Sequence, residues 1–353
     1  MTRGRVIAVE RSEDGPGRAA LVVDGRLEDL LLDPPAGDPL PAPESIHWAR
    51  VDRCVPQIGA AFVRLDGAMG WLRAHGLKPG AMVPVQVTRW ADPDKAVPLT
   101  DRPLFKGRLA ILTPGAPGAN VARGIRGHEQ RERLAALGAE GLVGAEESLG
   151  CILRSAAADA DDAAVRDEIA ALRRLAEDVL ADASGQTPRC LLAAPDAAAR
   201  AFRDWADPAP EAVLDDDDAF ERLGLWDTIE ALRSPEVALP GGGRMRVETT
   251  RAVVAVDVDT GGDFSKNAAA TANLAACTEL PRQLRLRGLG GLVLVDFAPV
   301  KKGARQGIDK ALGRALSADP VETQIGGWTP LGNLEMVRKR ERRPLSEVLH
   351  AHL

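Results

Sequence analysis

Two short apolar runs, each closed by an aspartate, constrain this chain more than any other feature: Ala252-Val-Val-Ala-Val-Asp257 and Leu292-Val-Leu-Val-Asp296. β-branched residues bounded by glycine-rich turns predict strands buried on both faces, as in a sheet with helices packed against it. The segment between them, roughly Asn267 to Arg287, has helical composition, and Gly288 to Gly291 ends it. A strand–helix–strand unit crosses over right-handed and makes its strands parallel. Both carboxylates then fall at the carboxyl edge of the sheet, where open α/β sheets carry their sites. Converging carboxylates repel near neutral pH unless a cation lies between them, and oxygen ligands favour Mg²⁺ or Mn²⁺. The plainer alternative is that each aspartate caps the helix or turn that follows its strand.

A chain of 353 residues predicts two to four modules. Its 45% hydrophobic and 27% charged residues are those of a soluble globular protein. Cys54, Cys151, Cys190 and Cys277 are widely separated, which gives neither a zinc knuckle nor a disulfide framework and predicts a reducing cytoplasm. The first residues lack a signal peptide, and no apolar stretch reaches the length of a membrane span.

The net charge of −6 hides an uneven distribution. Between residues 281 and 314 stand Arg282, Arg285, Arg287, Lys301, Lys302, Arg305, Lys310 and Arg314, against only Asp296 and Asp309, a local excess of six positive charges. A second basic run spans Arg338 to Arg343. Phosphate backbones are bound by local basic surface and not by net charge. A solvated helix face is the ordinary meaning of such a run. Its position beside the paired carboxylates points instead to a polyanionic substrate.

Along the chain, residues 5–32 predict a short β-meander with a turn at Glu13 to Gly17, and a proline-rich connector follows from Asp33 to Glu44. From Ser45 to Thr100 several short strands predict a small antiparallel barrel, with Gly59 to Val63, Gly70 to Leu72 and Val83 to Thr88 among them. Phe62, Trp71 and Lys95 are candidates for single-stranded RNA, whose bases stack on exposed rings; the alternative is that the two rings fill the barrel core. Residues 106–200 read as mixed, with strands at Leu109 to Leu112 and Gly150 to Arg154, and helices at Glu129 to Leu137 and Asp161 to Ala183. Arg154 and Ser155, just past a strand, offer a guanidinium beside a hydroxyl, a pairing suited to phosphate. Residues 205–243 read as an acidic, linker-like stretch with one helix from Ala219 to Leu232; Asp215 to Asp218 form a solvated helix start and not a metal site. Residues 244–353 form the carboxylate-bearing α/β module. The five histidines fall in loops or the tail, and the chain has no P-loop and no Ser-His-Asp arrangement.

Several fragments together resemble the ribonuclease E/G family: Val256-Asp-Val-Asp-Thr-Gly-Gly262, Asn273-Leu-Ala-Ala276 and the long run from Arg282 to Phe297. Gly59 to Val63, Gly118 to Arg123, Leu149 to Ser155, Gly242-Gly243 and Leu334 to Arg340 agree in order, so the resemblance covers nearly the whole chain. It implies an α+β multidomain architecture. A ribonuclease-H-like subdomain (1–44 with 201–240) would carry an inserted S1-type OB-fold barrel (45–105) and a 5′-sensor subdomain (106–200), followed by a deoxyribonuclease-I-like catalytic subdomain (241–353). It also implies that Asp257 and Asp296 hold a catalytic Mg²⁺ with Asp259 in support, that Phe62, Trp71 and Lys95 hold single-stranded RNA, and that Arg154 and Ser155 receive a 5′-monophosphate.

The chain departs from the family pattern at several points. Asp259 replaces an asparagine and adds a third carboxylate on the face of Asp257, a change expected to adjust metal preference toward Mn²⁺. Gly288 stands for an aspartate, Arg251 for a glutamate, and Pro281 falls inside the crossover helix, where it is expected to remove a hydrogen bond and kink it. No Cys-Pro-x-Cys zinc motif follows Arg343, so any homo-oligomer is expected to assemble without a zinc link. The expected activity is a Mg²⁺-dependent, single-strand-specific endoribonuclease leaving 5′-phosphate and 3′-hydroxyl ends. The alternative is an RNA-binding protein with lost or weakened catalysis.

Overall fold

The computed structural model describes residues 4–11, 15–92 and 94–352. The chain folds into two units, a discontinuous one that runs to Ala36 and resumes at Glu211, and a continuous one from Gly37 to Pro210. Strands β1 (Arg5–Glu10), β2 (Arg18–Val23) and β3 (Arg26–Leu32) make the expected meander, antiparallel throughout. The turn expected at Glu13 to Gly17 lies partly outside the described residues.

The second unit begins with the barrel: β4 (Ile46–Val55), β5 (Ala60–Arg64), β6 (Met69–Arg73), β7 (Met82–Val87) and β8 (Val97–Thr100). They hydrogen-bond in the order β4-β5-β6-β8-β7, and β7 pairs back onto β4, so the five strands close. The parallel contact of β6 with β8 completes a connectivity consistent with an OB-fold. Val51, Val63, Leu72, Val85 and Leu99 fill its interior, as side chains must in so small a barrel.

Next come β9 (Phe105–Lys106), β10 (Ala110–Pro114), β11 (Gly118–Val121), α1 (His128–Gly141), β12 (Leu149–Leu153) and α2 (Asp162–Ala181). The strands form a sheet in the order β11-β12-β10-β9. The helical spacing of Val165, Ile169, Leu172, Ala176 and Val179 does set the buried stripe of α2. Strand β13 (Arg189–Leu192) extends the barrel sheet beyond β4, and α3 (Ala197–Asp204) starts where the Asp196 side chain accepts the Ala199 N–H. The expectation that all histidines lie in loops or the tail fails at His47, a buried residue of β4, and at His128, which opens α1.

The return to the first unit corrects the linker reading of residues 205–243. Strand β14 (Ala212–Asp215) pairs parallel with β1, completing a sheet of order β14-β1-β2-β3. The single expected helix is two, α4 (Ala219–Arg222) and α5 (Leu225–Ala231), separated by Gly224 at φ +61°, a left-handed conformation that interrupts a helix. Phe220 and Ile229 bury into this subdomain, and the acids beside them are surface groups, with Asp216 and Asp218 paired to Arg222.

The remaining elements are β15 (Glu236–Ala238), β16 (Arg244–Thr249), β17 (Val254–Asp259), α6 (Ala268–Leu286), β18 (Gly291–Asp296), α7 (Arg305–Ala318), β19 (Thr323–Trp328), β20 (Leu334–Arg338) and the short α8 (Leu345–Val348). Their sheet has the order β15-β16-β17-β18-β20-β19, with only β17 and β18 parallel. Leu280 and Leu284 of α6 and Ile308 and Leu312 of α7 join Val256, Val293, Val295 and Met336 in one core. Helix α6 continues on both sides of the buried Pro281.

The interior of this unit is unusually ionic. Asp29 is paired with Arg342, through Arg342 Nη2 at 2.9 Å, and Asp319 receives Arg285 together with the wholly buried Arg338, the latter at 3.0 Å. Arg282 is likewise paired, with the buried Glu279. Arg282, Arg285 and Arg287, three of the eight cations behind the local positive excess, are thus interior and do not form an exposed basic face. Burial by itself would raise the Asp29 carboxyl, but Arg342 and Arg285 hold it below its ordinary range. A depressed native value means that the stability it contributes is present above the unfolded value of about 4 and is lost as pH falls through the native one. Asp29→Asn, which strands Arg342, is expected to cost about 3–5 kcal/mol at neutral pH and to flatten the acid limb, as read by denaturant unfolding across pH.

Candidate catalytic site and nucleic-acid interface

Strands β17 and β18 run parallel in a register that sets Asp257 directly beside Asp296. Neighbouring strands lie about 4.8 Å apart, so the two carboxylates rise from adjacent positions on one face. That face is open, which corrects the expectation of strands covered on both sides. Val254, Val256, Val258, Val293 and Val295 are buried, whereas Asp257, Asp259, Leu292 and Asp296 are exposed. Helices α6 and α7 cover only the valine face, and the Val-Ala-Val-Asp-Val-Asp alternation is the ordinary signature of a half-covered strand. Strand β17 also runs two residues beyond Asp257, to Asp259.

Asp259 shares the face of Asp257 but is engaged locally. Its Oδ1 accepts the Gly261 N–H and lies 3.5 Å from Arg244 Nε. Arg246, opposite Asp257 on β16, donates to Glu236; Glu236 foremost raises its pKa, with Asp257 contributing less. Among the described residues no three His, Cys, Asp or Glu side chains converge on one point. Mg²⁺ is commonly held by one or two carboxylates, with waters and substrate phosphate completing its shell, and an adjacent pair of exposed aspartates suits that demand.

The loop after Asp296 is held by a residue to which the sequence assigned no role. Asn273 of α6 is completely buried; its Nδ2 donates to the Ala298 carbonyl and its Oδ1 accepts the Ala298 N–H, both at 2.9 Å. This two-bond clamp fixes the chain two residues past Asp296. The signal available in advance was an asparagine in an otherwise apolar helical stripe. At the neighbouring strand end Gly261 sits at φ +63°, where any side chain would run into the Gly242 carbonyl, so the two glycine motifs pack on each other. Gly288 is explained in the same way: at φ +64° a side chain there would strike the Arg343 carbonyl. Past Asp296, Lys301 and Lys302 are exposed, and the Arg305 guanidinium lies 4.5 Å from the centre of the Trp328 ring.

On the barrel, Phe62 and Trp71 are cross-strand partners on the outer face, half-buried and outside the core cluster, so they do not fill the interior. Arg53 lies over Phe62 at 4.5 Å and Arg73 by Trp71 at 5.8 Å. The sequence reading missed both arginines, although Arg73 follows the strand period of two from Trp71. Lys95 is exposed and bonded to Asp92 at 3.1 Å, in the segment that leads into β8, whose Pro98 stands beside Trp71.

Arg154 and Ser155 are adjacent but differently committed. Arg154 Nη1 donates to the Gly107 carbonyl at 2.6 Å and Nη2 to Asp204 at 3.1 Å, whereas Ser155 is exposed. The backbone at Gly124 comes close to the Ser155 hydroxyl, and Arg123 and Arg126 flank that glycine as exposed residues.

Asn273→Ala is expected to leave both Ala298 groups unpaired and to cost about 1–3 kcal/mol. The loss is checked by the fall in melting temperature of the variant.

The model of the ribonuclease E/G family matches residues 105–223 and 211–341. Ribonuclease G of Escherichia coli is 27% identical over 410 residues, covering 99% of this chain and 82% of that protein. Ribonuclease E of Synechocystis sp. is 28% identical over 359 residues, covering 86% of this chain but only 53% of its own length. Ribonuclease E of Escherichia coli, 28% identical, is matched over 36% of its length, so the chain spans about half or less of these ribonuclease E sequences. With the family match extending over most of the residues from the middle of the barrel-bearing unit to the last strand, this chain belongs to the ribonuclease E/G family.

Proposed function

We propose that the protein is a metal-dependent endoribonuclease acting on single-stranded RNA, with Asp257 and Asp296 holding the ion. One observation carries the reading: the two aspartates stand in register on the open face of the sheet. When bound, Mg²⁺ would supply Lewis-acid polarisation of the scissile phosphate and of the attacking water. The chain's own residues do the rest. Asp257 and Asp296 attract the cation and accept protons, Asn273 keeps Asp296 in place through Ala298, and Lys301 and Lys302 meet neighbouring phosphates. Water attacking phosphorus with departure of the 3′ oxygen leaves a 5′-phosphate and a 3′-hydroxyl.

The barrel reading follows from the same chemistry. Unstacked bases lie on Phe62 and Trp71 while Arg53, Arg73 and Lys95 meet the backbone, so a duplex, whose bases are already stacked, is a poor ligand. Ser155 and the Arg123–Arg126 loop support recognition of a 5′-monophosphate, and there Arg154 would share its guanidinium between Asp204 and the phosphate. Family membership supports a ribonuclease-H-like assignment for the β14-β1-β2-β3 subdomain and a deoxyribonuclease-I-like one for the β15–β20 sheet. The binding-only alternative draws on Asp259, whose tie to Gly261 and Arg244 leaves two carboxylates, not three, for an ion.

The test is cleavage of a 5′-monophosphorylated, A/U-rich oligonucleotide with and without Mg²⁺. Asp257→Ala and Asp296→Asn should each slow cutting by about 100-fold or more, the scale of losing a directly acting charged group. Full activity in both variants rejects the nuclease reading, and salt-dependent binding without cutting in the wild type selects the alternative. For the barrel, Trp71→Ala should weaken single-stranded RNA binding by about 1–3 kcal/mol while leaving the fold intact by circular dichroism. Arg53→Gln should reduce the salt slope of binding.

A further inference from the structure

Of the arginines Arg282, Arg285, Arg287, Arg338 and Arg342 inside the discontinuous unit, four have carboxylate partners and Arg287 has none among the described residues. Arg287 is 7% exposed; its Nη2 donates to the Ser234 carbonyl at 2.9 Å, and its Nη1 is shut off from water without an acceptor. A desolvated, half-satisfied guanidinium is costly. Burial, against the pull of Glu279, brings its pKa down to about 10. Every comparable charge in this unit has been neutralised by the fold, so its isolation needs a reason.

Arg287 lines a cavity of about 510 Å³ within the discontinuous unit, a volume suited to a small ligand. One side is apolar, formed by Leu232, Val247, Leu289 and Leu345. The remainder includes Ser346, Thr249 and His350, all exposed at the mouth, with Arg233 as a second cation and Glu248 as the one carboxylate. Asp257 and Asp296 are not among the lining residues. The cavity therefore combines a buried cation, hydroxyls, an aliphatic wall and one carboxylate.

We propose that this cavity binds a nucleoside monophosphate group, with the phosphate on Arg287, the base against Leu232, Val247, Leu289 and Leu345, and the sugar toward Ser346 and Thr249. A phosphate suits the site better than a single carboxylate, because Arg233, paired with Glu230 on its outer side, brings a second guanidinium to the mouth. The group can arrive as a free nucleotide or as the phosphorylated end of an RNA, and both present the same chemistry. The site is separate from the carboxylate pair and does not depend on the cleavage reading.

Isothermal titration of the full chain with AMP, adenosine and a 5′-phosphorylated tetranucleotide tests this. Saturable binding of a phosphorylated ligand that Ser346→Trp removes is expected, apart from any binding at the barrel or near Ser155, with adenosine about tenfold or more weaker. Arg287→Gln should weaken binding by a similar factor, and Ser346→Trp, a change at an exposed lining position, should block the cavity without disturbing the core. Tighter binding of AMP identifies a free nucleotide as the source, and tighter binding of the tetranucleotide identifies an RNA end. If Arg287→Gln fails to fold, Ser346→Trp decides. Absence of saturable binding by either phosphorylated ligand overturns the proposal, as does unchanged binding in folded Ser346→Trp. Asp257→Ala should bind AMP as the wild type does, so loss of cleavage and loss of this site are read separately.

Discussion

The in-register pairing of β17 with β18 is the constraint on which the candidate site depends. A slip of one residue would turn one aspartate toward α6 and α7 and bury a charge among valines. The apolar face therefore enforces the placement of the polar one. Val256 and Val295 must face the helices, and once they do, Asp257 and Asp296 have nowhere to go but the open side. Asn273 extends this control past the strand end, since its paired bonds to Ala298 tie the departing loop to the same helix that packs the valines.

Charge is handled in two ways in this unit. On the open face carboxylates are left adjacent and exposed, an arrangement relieved by a cation from outside. In the interior, carboxylates and guanidiniums are matched inside the chain, with Asp29, Asp319 and Glu279 neutralising Arg342, Arg338, Arg285 and Arg282. Basic residues adjacent in sequence thus serve opposite ends. Those on α6 hold the unit together, and those after β18, such as Lys301 and Lys302, remain exposed at the surface.

Much of this was legible in the sequence where a local pattern decides the outcome. The span of α2 and its buried stripe follow from the spacing of Val165, Ile169, Leu172 and Val179, and the crossover from β17 through α6 to β18 follows from composition and glycine punctuation. What was not legible depends on distant partners. Strand β14 looked like an acidic linker because Ala212 to Asp215 become a strand only through pairing with β1. The fates of Arg282, Arg285 and Arg287 could not be told from those of Lys301 and Lys302 by charge alone, because burial depends on the β3 and β20 segments that meet α6. Along the barrel, Phe62 and Trp71 were recognisable as candidates, but only the pleat shows that they face outward with Arg53 and Arg73 beside them. Strand parity shows Asp259 on the face of Asp257, but not that its Oδ1 accepts the Gly261 N–H, which depends on the turn beyond the strand.

The discontinuous unit has a consequence for how the protein is made. Asp29 and its partner Arg342 are 313 positions apart, and β1 must hold an open edge until β14 is synthesised. On the ribosome the opening meander therefore emerges long before the charges and hydrogen bonds that complete it. The barrel-bearing segment, which forms a compact unit of its own over residues 37–210, can settle in the meantime. Nascent chains of this protein carry an unpaired β1 edge until residues 212–215 emerge, and an unpaired Asp29 until Arg342 follows.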